Sequence, residues 1–470
     1  MRNYRMAWRN LWRNKRRTLI TVASVFFAVF FALIMRSLQL GSYDHMFRNV
    51  IESYTGYIQI QNEDFWDDKT VDNVFRYTPE VEQTVMEDEN TNAVIPRFES
   101  FALASIGTIT KGVMVMGIDP EKENLLSDVR GKLVSYRLTD KAISDLKGSD
   151  LPEKIKNKLD LFRDQSYAGE GSLTAEMGIK EKEAPEIMEY FKKYASFSNG
   201  YISKGKQEVL LGDKLSRYLK LNINDTIVLI GQGYHATTAA GKFRVAGIVH
   251  LPTPDLDNII VYLPFDVCQE FYNAPGMLTS LAIDVKKNDD KDINKMIDRL
   301  GARLQSPLRV IGWREMNQLI INQMDADNKS GMIMIGILYL VIAFGIFGTV
   351  LMMTAERKRE FGVVVAIGMQ KAKLAFVMMI EMIYIGLMGI LSGIAVALPA
   401  IIIGYYHPIR FAGEMAKMYE DYGLEPIMPF MPVNWYFLWQ SIIVAVIVLI
   451  AIIYPVNKIL RLDTANSLKA

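Results

Sequence analysis

The sequence has little of what catalytic or metal-bound frameworks need. Its one cysteine, Cys268, excludes an internal disulfide framework, a zinc ribbon and a thiol redox pair. Cys268 itself lies in a helical pattern and reads as a small buried hydrophobe. The four histidines, His45, His235, His250 and His407, are scattered, so no metal site is expected. A formal net charge of +1, from 53 basic and 52 acidic residues, leaves neither a polybasic nucleic-acid surface nor an acidic disordered chain. No HExxH, GxSxG or P-loop pattern occurs, and no defensible carboxylate pair, so no catalytic residue is expected. Asp255 and Asp257 sit in the proline-rich run Leu251–Asp257 and read as a solvated turn rather than metal ligands.

What the chain does have is apolar residues gathered into four long blocks. About 20 apolar residues in a helix cross a hydrocarbon core of ~30 Å. Thr18–Met35, Gly331–Thr354 and Phe437–Tyr454 carry no charge, and Leu374–Tyr405 carries one, Glu381. Backbone amides in lipid must bond internally, so these blocks are expected to be helices. The first block could also be a cleaved signal, but it exceeds an ordinary h-region. Arg36-Ser37-Leu38-Gln39 follows it in place of a small-x-small cleavage site, so it reads as a retained anchor. Trp435, Tyr436 and Trp439, with Tyr405 and Tyr406, are placed as interfacial anchors.

Charge sets the orientation. Arg2, Arg5, Arg9, Arg13, Lys15, Arg16 and Arg17 precede the first block without an acid among them. Arg357, Lys358, Arg359, Lys371 and Lys373 lie between the second and third, and Lys458, Arg461 and Lys469 follow the fourth. The loop between the third and fourth has only Arg410 and Lys417. The positive-inside rule then puts both termini in the cytoplasm and exports residues 36–330, where acids outnumber bases.

The fold class expected is a polytopic α-helical membrane protein with four transmembrane helices. A large α+β extracytoplasmic domain is inserted between helices 1 and 2. In order, the expected parts are a cytoplasmic amphipathic helix (1–17), a first span (18–40), the exported domain (41–328) and a second span (329–354). A cytoplasmic loop (355–373), a third span (374–405), an outer loop (406–436), a fourth span (437–456) and a cytoplasmic tail (457–470) follow. Strand alternation marks Gly56–Gln61, Gly112–Ile118, Thr226–Ile230, Phe243–Val249 and Ile259–Leu263. Helical patterns mark Pro79–Glu89, Lys214–Leu221, Pro264–Tyr272 and Asp292–Leu304. Residues 132–207, rich in Lys, Glu and Asp, read as an inserted helical lobe.

Three local features bear on function. Apolar residues alternate with arginines at helical spacing over residues 1–17, as in a basic helix lying in the inner interface. In AERKREFGVVVAIGMQKAK (355–373), the charged start stays in water, and Phe361, Val364, Val365 and Ile367 form one apolar patch before Gly368 ends the helix. Such a helix suits either partner docking or interfacial anchoring. Gly386, Gly389 and Gly393 lie along one side of the third span and permit close helix packing, and Pro399 is expected to kink or loosen it. Glu381, an intramembrane acid about two turns in, either bonds within the bundle or carries protons.

Together these segments resemble the FtsX-like permeases of bacterial ABC transporters, in the MacB/LolC/LolE superfamily. Ala7–Thr18 (AWRNLWRNKRRT) is similar to the family's opening helix, and Glu356–Gly362 with Ala366-Ile367-Gly368 to its coupling helix. Tyr454-Pro455 with Leu462–Ala465 is similar to its C-terminal end. Thr55–Ile60, Gly117–Pro120, Glu208–Asp213 and Leu221–Asp225 resemble the LolE-like branch, while 132–207 resembles nothing in the family.

The resemblance implies a permease subunit without an ATPase of its own, working by mechanotransmission. ATP and Mg²⁺ would be held by a separate ATPase dimer of LolD/MacB type, and no cofactor by this chain. That ATPase would dock on Glu356, Arg357, Lys358, Arg359, Glu360, Phe361, Gly362, Ala366, Ile367 and Gly368. A second permease subunit, identical or not, would pair with this one in the inner membrane. The cargo implied is a lipoprotein or another amphiphile drawn from membrane lipid. A periplasmic carrier could touch Tyr234 and His235, although the short run Gly231–Lys242 reads in the first place as an ordinary hairpin loop. MacB-like efflux of peptides or small molecules and FtsX-like signalling to a cell-wall hydrolase are the alternatives.

Overall fold

The computed structural model describes residues 2–13 and 15–462, so Asn14, Lys469 and the Asp463–Ala465 part of the C-terminal motif lie outside the described residues. Two compact units divide the chain: 1–45 with 322–409 and 428–470, and 46–321 with 410–427.

The first unit is a helical bundle. Arg2–Arg13 forms a short helix, and Lys15–Val50, Gln318–Glu356, Lys371–Tyr406 and Trp435–Leu460 are long enough and apolar enough to cross a membrane. These are the four transmembrane helices. The first and second run well past the blocks read from sequence. At 36 residues the first is ~54 Å long against a ~30 Å core. Its polar extension has no Pro to stop it, and polar bonds tie it to the second helix. Arg36 donates to Gln39 (2.7 Å) and Asn328 (3.0 Å), and Gln39 donates to the Asp327 carbonyl (3.2 Å). The third helix continues through Pro399 without ending. Between the second and third spans, Lys358–Ala366 is a short separate helix, and Gly368 at φ +110° makes the turn that an L side chain resists.

The second unit is built on one nine-stranded sheet. Its spine is Thr91–Ile106, which folds back through Gly107 (φ +56°) onto Ile109–Ile118. From there pairing runs through Ile260–Pro264, Glu208–Gly212, Thr238–Val249 and Thr226–Gln232. The last of these pairs with the spine again (Leu103↔Ile230), so six strands close into a ring and leave no free edge among them. Alternate residues serve two clusters: Val113 and Val115 join Phe98 and Leu211, while Met114 and Met116 join Leu210 and Tyr262. Helices Asp213–Leu219 and Phe265–Phe271 cover the first cluster. Gly117 permits the second of these to approach, since a Cβ there would lie 2.5 Å from that of Cys268. Cys268 is buried as expected, and burial pushes its thiol pKa up.

The N-terminal half of the same spine pairs on its other side with Ser280–Val285, then Ile58–Asn62, then Leu308–Gly312. Helices Pro79–Met86 and Asp290–Arg303 close that half over Ile58, Ile60, Val94, Ile283, Met296 and Leu300. Between the halves lies Arg97, fully buried, donating through Nε (3.0 Å) and Nη2 (2.5 Å) to Glu123 and through Nη1 to the Tyr54 carbonyl. Residues 132–207 fold around their own apolar cluster, including Leu138, Leu146, Leu173 and Phe191, with helices Asp140–Lys147, Glu170–Met177 and Ala184–Tyr194. Thr139 caps the first of these helices, its hydroxyl accepting from the Ala142 N–H (3.2 Å), a contact of ~1 kcal/mol.

Candidate functional site

The candidate site is the end of the bundle where Arg2–Arg13, Lys358–Ala366 and the third span meet. Glu381 is its centre, 1% exposed. Its Oε2 accepts from Arg357 Nη1 at 2.5 Å and its Oε1 from Asn10 Nδ2 at 2.6 Å. Arg357 stands at the N-cap of the short helix, with its guanidinium over the Phe361 ring at 5.1 Å. Glu360 lies 3.5 Å from Arg357 Nε and also receives Arg13 of the N-terminal helix. Thr18 donates to the Leu11 carbonyl at 2.9 Å and fixes the corner between the N-terminal helix and the first span. One carboxylate thus clasps three elements through side chains far apart in sequence. Burying this charge is tolerable only because it is paired and hydrogen-bonded on both oxygens.

The short helix is two-faced, and this corrects part of the sequence reading. Phe361 and Gly362 are buried, and Arg357 is 9% exposed, so these three face the bundle and not a partner. Val364 and Val365 also pack inward, against the bundle core. The apolar patch is therefore split, because Phe361 lies one turn from Arg357 and one turn from Val364 and Val365, whereas Ile367, at the C-cap of the helix, lies off that face and is exposed. Glu356, Arg359, Glu360, Val363, Ala366, Ile367 and Gly368 are exposed and Lys358 is half-buried. Ile367 is 81% exposed.

The glycines of the third span also serve two neighbours rather than one. A Cβ on Gly389 would lie 2.5 Å from Val25 Cβ, and one on Gly393 would lie 2.9 Å from Val29 Cβ, both on the first span. On Gly386 it would meet Val448 of the fourth span at 2.8 Å. The arc that holds all three straddles the groove between two helices. Tyr339 of the second span donates to Gln440 of the fourth, adding a polar tie inside the bundle.

In the other unit, Tyr234 and His235 lie at the tip of a tight hairpin, in the turn Tyr234–Ala236. The tip is pinned down: the Tyr234 N–H donates to the Tyr272 carbonyl (2.8 Å) and the His235 N–H to Asp72 (2.7 Å). Tyr234 packs on the sheet's core, leaving His235 exposed.

Asp257 is not solvated, contrary to the sequence reading. It is fully buried, and its carboxylate accepts from the N–H groups of Asp213 (3.1 Å), Lys214 (2.9 Å) and Leu251 (2.9 Å), tying down a helix N-terminus. Asp255 is exposed, as expected. Asp257, Asp213 and His250 could bring ligand atoms within 4.8 Å of one another. Asp213, however, is already neutralised by Arg137 (2.5 Å) and Arg217 (2.8 Å) and bonded by Ser166 (2.9 Å). Such a charge-balanced set does the structural work of joining helix Asp213–Leu219 to the lobe and does not fit a cation.

Parts of the chain are similar to known proteins. LolC, a lipoprotein-releasing system transmembrane protein of Xylella fastidiosa, is 21% identical over 224 residues, covering 46% of this chain and 53% of LolC. The chain thus spans about half the length of that relative. An uncharacterized ABC transporter permease of Methanocaldococcus jannaschii is 26% identical over 165 residues, covering 33% of this chain and 40% of that protein. The periplasmic region of MacB from Actinobacillus actinomycetemcomitans aligns over 59% of this chain and 98% of its own with 12% identity and a TM-score of 0.30. Residues 332–464 match the FtsX-like permease C-terminal model, the stretch that holds the short helix and Glu381. Over residues 332–464 the chain thus carries a segment similar to the FtsX-like permease C-terminal family, and it shares distant similarity with ABC-transporter permeases of the LolC kind.

Proposed function

We propose that this chain is the membrane subunit of an ATP-driven lipoprotein-releasing transporter, of the LolC/LolE kind and closer to LolE, acting by mechanotransmission. The observation that carries the reading is the short helix Lys358–Ala366, exposed on one face and clasped to the bundle through Arg357 and Glu381 on the other. A soluble ATPase dimer, holding ATP and Mg²⁺, docks on the face bearing Arg359, Glu360, Val363 and Ile367. Its closure moves the helix, and Arg357 and Phe361 carry that motion to the third span, while Asn10 carries it to the N-terminal helix. The contacts of Gly389 and Gly393 with Val25 and Val29 pass it on to the first span, whose helix runs unbroken to Val50.

The distribution of arginine and lysine supports placing both termini and the short helix in the cytoplasm, with the α+β domain in the periplasm. Likeness to LolC supports a lipoprotein as cargo. Each acyl CH₂ removed from lipid forfeits ~0.8 kcal/mol unless rehoused, which is why such extraction needs an external energy source. A second permease subunit completes the machine, and a periplasmic carrier would find His235 as the exposed side chain of the hairpin tip.

Purification of the tagged chain with its co-expressed neighbours tests this. An ATPase and a triacylated lipoprotein in the complex are expected. An outer-membrane channel in their place would indicate MacB-like efflux, and a cell-wall hydrolase FtsX-like signalling.

A further inference from the structure

A cavity of about 920 Å³ opens at the end of the second and fourth spans, beside the short helix. It shares Phe361 with the clasp but none of the clasp's polar groups, and none of Arg359, Glu360, Val363 and Ile367 on the docking face. Its walls are of two kinds. Leu351 and Met352 of the second span, with Tyr454 and Ile459 of the fourth, supply an apolar trough. At its rim stand Lys358, Lys458 and Arg461. Their side chains make no hydrogen bond or ion pair among the described residues, and no described residue lining the cavity is acidic.

This combination has a specific chemical complement. Three cations from two elements converge where the apolar segments end, at the depth of lipid headgroups. An occupant must carry negative charge at that depth and offer hydrocarbon a few ångströms deeper. A soluble anion satisfies only the rim, and a neutral lipid satisfies only the trough.

We infer that this cavity binds an anionic phospholipid of the adjoining leaflet, its phosphate held by Lys358, Lys458 and Arg461 and an acyl chain lying along Leu351 and Met352. Lys358 opens the short helix, so the bound lipid braces that helix against the fourth span. The inference rests on the four spans and not on the identity of the ATPase or the cargo, so the two can fail separately.

Native mass spectrometry of the detergent-solubilised full chain, titrated with dioleoyl phosphatidylglycerol or dioleoyl phosphatidylcholine, tests it. Phosphatidylglycerol adducts are expected to survive about tenfold better than phosphatidylcholine adducts, as a net gain worth about one cation's attraction, ~1.4 kcal/mol, would imply. The triple variant Lys358→Gln, Lys458→Gln, Arg461→Gln loses that preference, while Lys371→Gln with Lys373→Gln keeps it. Equal retention of the two lipids, an unchanged preference in the triple variant, or displacement by inorganic phosphate alone would overturn the proposal. Loss of the co-purified ATPase with the lipid preference intact would reassign the cations to protein docking and overturn it as well. A second readout leaves the cations in place: in Leu351→Trp, brominated phosphatidylglycerol quenches the added tryptophan more than brominated phosphatidylcholine does. Equal quenching sinks the site even if the triple variant fails to fold.

Discussion

Arg357 and Glu381 meet at 2.5 Å across 24 residues of sequence, and both are buried. The arginine belongs to a run of charges that would ordinarily stay in water, and the glutamate to an otherwise apolar span. Each makes the other's burial affordable.

Removing one partner leaves the other as an uncompensated buried charge. Glu381→Gln is expected to cost ~3–5 kcal/mol of stability, whereas Arg357→Met with Glu381→Leu restores much of it. If the clasp also transmits force, the double variant folds and hydrolyses ATP with its partner but releases little cargo. Thermal melts beside coupled ATPase and release assays separate the two roles. Full release by the double variant would make the pair structural only.

The two faces of the short helix respond differently to substitution. Ile367→Asp leaves the melting temperature unchanged, because the side chain is 81% exposed, but abolishes co-purification of the ATPase. Phe361→Ala, at 3% exposure, lowers stability by ~3–5 kcal/mol. Retention of the ATPase by Ile367→Asp would move the docking face elsewhere.

Glycine positions in the spans separate close packing from open space. Gly389→Ala pushes a methyl to within 2.5 Å of Val25 Cβ and is expected to cost ~1–3 kcal/mol. Gly336→Ala meets nothing within 4 Å and is neutral or stabilising by up to about 1 kcal/mol. Unfolding in mixed micelles measures both, and equal effects would contradict the helix pairing.

A pH dependence is expected from Glu176 in the sheet-bearing unit. Burial raises its carboxyl pKa, against the opposing pull of Arg410 and His250. The folded protein then keeps a proton that the unfolded chain has released. The favourable contribution is complete below the ordinary carboxyl pKa of about 4.3 and is lost as pH rises through the raised value. Glu176→Gln should therefore melt higher than the parent at about pH 7.5 and alike at about pH 4. A gap of constant size at both would refute the assignment.

The spans were legible because hydrocarbon thickness imposes a length that few other constraints mimic. Their ends were less so, since Gln39, Asp44, Asp325 and Asn328 are polar without breaking a helix. The spine strand Thr91–Ile106 escaped notice because Pro96, Arg97 and Glu99 interrupt its alternation. Its Arg97 is buried by pairing with Glu123, a partner that only the fold supplies. Arg357 shows both sides of the matter. Its one-turn spacing from Phe361 could have placed it on the inner face, but nothing local names Glu381 as its counterpart. Asp213, His250 and Asp257 likewise converge only through the sheet.

The spine's double membership has a mechanical consequence. One uninterrupted polypeptide rib belongs both to the closed ring and to the open four-stranded half, with Arg97 riveting the middle. Neither half can swing on a flexible joint without tearing ladder bonds. A tug delivered at Ile58–Asn62 must therefore reach the hairpin at His235 as a tilt of the whole piece.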